Sequence, residues 1–237
     1  MHGYSVAETA RMLGVAGGTV KSRCSRGRAK LAEALGYLTP PQSGSTRARH
    51  YDEVNGAGEL HLAVCRRFGE AVRSGDGKWA HRSPCGAWDA RGVLEHVIGF
   101  HDVLVLRPLG LKPGRPRDDP ARRWQLTVDR LGDALGRGGL LEAMRLDAHR
   151  LVPRLTQDVL VHTWDLARAI GADDQLDPRW CTLFFDQLPA DPHALTRSGM
   201  FAPPIPVDDD ADIQTRFLAR LGRDPAWQAD VGTAGDR

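Results

Sequence analysis

The sequence has little cysteine. Cys24, Cys65, Cys85 and Cys181 are the four in 237 residues, and no two stand as C-x-x-C. No apolar signal-peptide core precedes them. A disulfide framework is therefore not expected, and a reducing cytoplasm is the expected setting. Long hydrophobic runs are also missing. The most apolar stretch, Val93 to Leu111, is interrupted by His96, His101, Asp102 and Arg107. That pattern argues against a membrane span, and no membrane partner is expected. Strand-like alternation is scarce and no internal repeat is visible, so the expected fold is all-α. Net charge is small as well, at +2, which taken alone argues against a dedicated nucleic-acid binder.

What is present is an ordinary globular composition, 41% hydrophobic and 26% charged, in a chain long enough for one to two domains. The small net charge conceals an asymmetry. Residues 1–50 carry Arg11, Lys21, Arg23, Arg26, Arg28, Lys30, Arg47 and Arg49 against only Glu8 and Glu33. The remaining residues have an acidic surplus. A basic end on an acidic body implies two parts with different partners.

The basic end reads as two helices around a tight turn. Ser5 and Glu8 form a capping box, with Val6, Ala10 and Leu13 at helical spacing and Gly14 as the stop. A second helix restarts near Gly17–Thr19 and runs toward Leu35, with Val20, Leu31 and Leu35 facing its partner. Thr19, Lys21, Ser22, Arg23 and Arg26 lie where a recognition helix would meet phosphates and base edges. The plainer alternative is an amphipathic hairpin with a solvated basic face. Residues 39–50, rich in Pro, Ser, Gly and Arg, read as linker.

The body shows helical periodicity throughout. Leu60, Val64, Phe68 and Val72 mark a first helix ending near Gly75. Asp89 caps a second, carrying Val93, His96, Val97, Phe100 and Leu104 on one face. Asp119-Pro120 opens a third, continuing through Trp124, Val128, Leu131 and Leu135 to Gly136. A fourth is expected after Pro153, with Leu155, Val159, His162, Leu166 and Ile170, stopping at Gly171. A short fifth follows Asp177-Pro178, and Ile213 to Leu221 suggests one more, ended by Gly222. The run MFAPPIPV reads as extended chain packed on the surface. Four amphipathic helices with additions predict a helical bundle.

Within that bundle, Asp158 and His162 stand at i, i+4 and so share a helix side. His96 lies on the apolar face of another helix. Three such ligands converging would make a divalent-metal site with an open position, the catalytic rather than the structural pattern. Each residue also has an ordinary reading. An inward histidine is usually a hydrogen-bonded core residue, and a carboxylate in a first turn complements the helix dipole. His101 falls on a different face from His96 and is not read as a ligand. His149 lies in a segment read as irregular. Asp165 has a structural hydrogen-bonding role by default. Cys85 reads as a loop residue without a basic neighbour in sequence.

Two resemblances sharpen this. GYSVAETARMLGVAGGTVKSRCSRGRAKLAEAL resembles the end of region 4 of a sigma-70 family factor of the extracytoplasmic-function type. That resemblance implies −35 promoter recognition and RNA polymerase as a partner of residues 1–38. It covers only the last part of region 4, and Cys24 stands where the family usually has an aliphatic residue. A fragment of this kind is not expected to direct initiation alone. SPCGAWDARGVLEHVIGFHDVL, TQDVLVHTWDLARAIGADDQLDP and MFAPPIPVDDDADIQTRFLARLGRDPAW resemble an actinobacterial DinB-like family. That family is related to the N-terminal domain of mycothiol-dependent maleylpyruvate isomerase. The resemblance implies a DinB-like four-helix bundle with extra C-terminal helices, and a metal (zinc or nickel-like) on His96, Asp158 and His162. The isomerase has Glu where this chain has Asp158, and Pro84-Cys85-Gly86-Ala87-Trp88 replaces the family's Pro-Cys-Pro-Gly-Trp run. Its further C-terminal domain is not expected here.

The expected organisation is a helix-turn-helix over 1–38, a linker over 39–54, a metal-binding bundle over 55–227 and a flexible tail over 228–237. Three functions fit. One is a fusion of a DNA-binding sigma-like fragment with a bundle that senses or processes a small-molecule or thiol ligand. Another is a metal- and mycothiol-dependent isomerase or transferase with a vestigial basic arm. The third is a bundle without metal that acts as an interaction module.

Overall fold

The computed structural model describes Arg11 and residues 56–86, 88–136, 138–197 and 201–229; for 136 and 138–150 it describes the helix backbone alone. The proposed DNA-contacting set of Thr19, Lys21, Ser22, Arg23 and Arg26, and the linker, lie outside the described residues.

Among the described residues the α-helices are α1 (Ala57–Arg73), α2 (Ala90–His101), α3 (Pro120–Gly136), α4 (Gly138–Ile170), α5 (Pro178–Phe185), α6 (Ala194–Arg197) and α7 (Ile213–Arg220). Among the described residues there is no strand, and a lone bridge joins Arg82 to Asp89. The fold is all-α. The expected caps form. Asp89 Oδ1 accepts from the Gly92 N–H at 2.7 Å, Asp119 Oδ1 from Arg122 at 2.7 Å, and Asp177 Oδ1 from Arg179 at 2.8 Å. Each satisfies one first-turn amide that the helix itself cannot. Gly171 ends α4 with φ +66°, the left-handed C′ conformation that only glycine adopts without cost.

Helices α1 to α4 form the bundle. α1 packs on α3 and α4, and α2 packs on the same two, so α1 and α2 face each other across the interior. Their periodic apolar positions supply the core. Val64, Phe68, Val93, Val97, Leu131 and Val159 are completely buried. Each such side chain contributes about 1.5–3 kcal/mol by leaving water. α5 and α7 pack on each other beside the bundle. The extended run before α7 is tied down by the Ile205 N–H, which donates to the Ala219 carbonyl at 2.9 Å.

Two sequence expectations are corrected. The fourth helix does not begin after Pro153: α4 runs from Gly138, with Pro153 inside it. Proline removes one N–H from the ladder, a local loss that apolar packing on both sides can outweigh. His149 therefore stands in a helix rather than in an irregular segment. The second correction is at the end of α2, where Asp102–Leu106 forms a π-helical turn instead of more α-helix. The Arg107 N–H donates to the Asp102 carbonyl at 2.9 Å, and Arg107 and Arg115 both reach the Asp102 carboxylate. Single π-turns of this kind often sit beside functional residues, and His101 immediately precedes this one.

Candidate metal centre

The loop from Arg82 to Asp89 sets up one side of the site. Ser83 Oγ lies 2.8 Å from the Trp88 carbonyl and 3.1 Å from that of Cys85, and the Trp88 N–H donates to the Cys85 carbonyl at 2.9 Å. The closed turn lays Trp88 over the start of α2. Gly92 makes room for it, since a Cβ there would stand 2.8 Å from Trp88 Cβ. One turn further along α2, His96 stacks on the Trp88 ring with centroids 4.4 Å apart, and Phe100 flanks it at 4.2 Å. Two aromatic neighbours restrict the imidazole's rotation and aim its Nε2 at α4.

On α4 the i, i+4 spacing does what the sequence implies. His96 Nε2 lies 3.4 Å from Asp158 Oδ1, and His162 Nε2 lies 3.5 Å from the same oxygen. The three ligand atoms all fall within 4.8 Å of one another. Metal–ligand bonds of about 2.0–2.2 Å put neighbouring ligand atoms about 3–3.5 Å apart, so these separations suit an ion better than direct hydrogen bonds. Asp158 Oδ2 is buried and has no hydrogen-bond partner. The side chains of His96 and Asp158 keep 16% and 20% of their exposure, so the cluster is reachable from solvent. Asp158 is not a first-turn carboxylate, because α4 begins well before Pro153. The dipole reading is thereby removed.

Behind His162 stands a second layer. His162 Nδ1–H donates to Asp165 Oδ2 at 2.8 Å, and Arg223 donates to the same oxygen at 2.8 Å. Asp165 is completely buried. Arg223 comes from the turn after α7, where Gly222 has φ +74° and a Cβ would stand 2.6 Å from the Ala202 carbonyl oxygen. The C-terminal segment is thus folded against the site. Burial alone would lower the His162 pKa, but Asp158 and Asp165 overcome it and raise the value to about 9. Burial would raise that of Asp158; the His162 charge and the close approach of the His162 and His96 rings hold it well below the usual carboxylate range. Asp165 is likewise held low despite its burial, first by Arg223.

The three predicted ligands are therefore brought together, and Asp165 has the hydrogen-bonding role expected of it. Arg223 was not anticipated. It is 61 positions beyond His162, so no local spacing could link the two. Cys85 lies in the loop before α2, as expected. No basic neighbour adjoins this thiol in sequence, yet Arg223 is close enough in space for the two to interact electrostatically. His101 is outside the set, as expected. It points instead toward His61.

Similarity to known proteins divides the chain unequally. Residues 1–31 match the family model of sigma-70, region 4. The chain is 76% identical over 38 residues to the ECF RNA polymerase sigma factor SigM of Mycobacterium tuberculosis, in strains H37Rv and Erdman alike, a match covering 16% of this chain and 19% of that protein. A second similarity, 29% identity over 108 residues, is to the Uncharacterized protein Rv0738 of M. tuberculosis strain H37Rv and covers 40% of this chain and 57% of that protein. The chain thus spans less than a fifth of the sigma factors it matches. No solved structure matches it. No described helix is long and apolar enough to cross a membrane.

Proposed function

We propose that this chain joins a promoter-contacting segment to a helical bundle that holds a divalent metal, and that it links transcription to small-molecule or thiol chemistry. The region 4 match over residues 1–31 supports the first part. In this reading Lys21, Arg23 and Arg26 neutralise phosphates and Thr19 and Ser22 approach base edges, with RNA polymerase as a further partner. The organisation into residues 1–38, 39–54 and 55–227 belongs to the same proposal.

The observation that carries the second part is the convergence of His96 Nε2, Asp158 Oδ1 and His162 Nε2 around one point, with Asp158 Oδ2 left unpaired. The donor set fits a zinc- or nickel-like ion. Bound there, the ion would lower the pKa of a coordinated water or thiol. Asp165 orients His162 and leaves its Nε2 for the ligand role. Trp88 and Phe100 fix the His96 ring and wall the site with apolar surface.

A DinB-like bundle acting as a mycothiol-dependent isomerase or transferase, with a vestigial DNA-binding arm, is the second reading. Three protein ligands with residual solvent contact favour it, because a purely structural ion is usually closed off by four. Both readings share one test, calorimetric titration of the full chain with nickel. Wild type should bind, and His162→Asn should lose about 100-fold or more in affinity. Equal affinity in the two proteins would overturn the site.

A further inference from the structure

A second cluster of ligating side chains lies deeper in the bundle. His61 and Cys65 stand at i, i+4 on α1, and His101 closes α2 on the opposite side of the interior. All three are essentially without solvent exposure. His61 Nε2 lies 3.0 Å from His101 Nε2 and 3.6 Å from Cys65 Sγ. The three atoms fall within 4.8 Å of one another.

Hydrogen-bond accounting makes this contact unusual. Thr156 Oγ1 donates its proton to the Val152 carbonyl at 2.7 Å. Its oxygen therefore accepts from His61 Nδ1–H at 3.0 Å. On the other side, His101 Nδ1–H donates to the Val97 carbonyl at 2.7 Å. Both rings carry their proton on Nδ1, so two Nε2 lone pairs face each other at 3.0 Å. Two acceptors at that distance repel unless a cation stands between them. An imidazolium in a dry core without a counter-ion is costly. Burial accordingly lowers the pKa of both histidines, that of His101 to about 4.

We propose that His61 Nε2, His101 Nε2 and Cys65 Sγ form a second metal site for a thiophilic divalent ion of the zinc class. Zn–N bonds of about 2.0–2.1 Å and a Zn–S bond of about 2.3 Å in a tetrahedron place N and N about 3.3 Å apart and N and S about 3.6 Å apart. The His61–Cys65 separation matches this, and the two nitrogens need to part by only a few tenths of an ångström. The outer nitrogens are already engaged by Thr156 and Val97, the arrangement that fixes tautomer and ring orientation in metal-ligating histidines. Binding releases the Cys65 thiol proton to solvent and leaves a thiolate on the ion. The Trp124 ring packs edge-on to His101, centroids 5.9 Å apart, and keeps the site dry. The site shares no ligand with His96, Asp158 and His162, and it stands whether or not they bind metal.

The full chain, expressed in cobalt-supplemented minimal medium, gives the test. A thiolate-to-cobalt charge-transfer band in the near ultraviolet is expected in the wild type. Cys65→Ser should abolish it, and a variant with Cys24, Cys85 and Cys181 all changed to serine should keep it. His96→Ala combined with His162→Ala should leave the band and remove only the other ion. No band in the wild type would overturn the proposal, as would a band that survives Cys65→Ser. Should Cys65→Ser fail to fold, the variant retaining Cys65 alone decides: cobalt without the band there also overturns it.

Discussion

His162 Nδ1 and Asp165 Oδ2 are 2.8 Å apart in a part of the bundle where Asp165 has no solvent contact at all. This one contact fixes Nδ1 as the nitrogen that keeps its proton when the ring is neutral. With Nδ1 donating to a buried carboxylate, Nε2 is the nitrogen turned toward Asp158 and His96. Arg223 donates to both oxygens of the carboxylate, to Oδ2 at 2.8 Å and to Oδ1 at 3.3 Å, and keeps it charged. The chain of contacts runs from the turn after α7, through Asp165, to the ligand atom.

Asp165→Asn should therefore weaken metal binding although Asp165 touches no metal. Losses of about 10–100-fold in affinity are usual when such an outer carboxylate is removed. Competition with a chromogenic chelator measures this. The conservative Asp165→Glu should recover part of the affinity if orientation is the cause; equal loss in both variants, with lowered melting temperatures, would indicate a purely structural role.

Metal-free protein should lose stability on the alkaline side. The folded His162 pKa, about 9, lies above its ordinary value. The stabilisation is then complete below about pH 6.5 and disappears as pH rises through about 9. Its size is at most about 3–4 kcal/mol, because one pKa unit corresponds to about 1.4 kcal/mol. Urea unfolding with chelator present, at a series of pH values from 6 to 10 (roughly one titration span), should show the decline. His162→Asn should flatten it.

Gly222→Ala should be costly for a residue so far along the chain. Its φ of +74° and the 2.6 Å approach to the Ala202 carbonyl both oppose a side chain. A loss of about 1–3 kcal/mol is expected, the usual range for forced backbone strain. Metal affinity should fall with it, since Arg223 is the next residue. Thermal unfolding and metal titration on the same variant check both effects.

Promoter binding by the full chain should be dominated by phosphate contacts. Lys21→Ala, Arg23→Ala and Arg26→Ala should each weaken binding about equally across sequences and reduce the salt slope by about one. Thr19→Ala or Ser22→Ala should change sequence preference more than affinity. Fluorescence anisotropy at several salt concentrations separates the two patterns. Loss of affinity with an unchanged salt slope in the Lys and Arg variants would contradict the assignment.

Much of the bundle was legible because its signals are local. Asp89, Asp119 and Asp177 announce helix starts by chemistry that needs only the next turn. The i, i+4 pair of Asp158 and His162 is local in the same sense. α4 escaped because Pro153 carries a strong breaking signal that tertiary packing overrides. The π-turn after His101 escaped because it depends on a carboxylate, Asp102, held by Arg107 and Arg115. Arg223 and the pairing of His61 with His101 are contacts between distant segments, and no periodicity encodes them. His61 and Cys65 do have helical spacing, a signal that could have been read. It acquires meaning only when His101 is known to lie opposite.

Metal content reads out the proposed ion on His96, Asp158 and His162. The full chain, saturated with zinc and then freed of loosely held ions, should differ by about one equivalent between the wild type and a His96→Ala, His162→Ala double variant. Any ion at the buried His61 cluster remains in both and cancels. Identical metal content in a folded double variant and the wild type would rule out an ion at these residues.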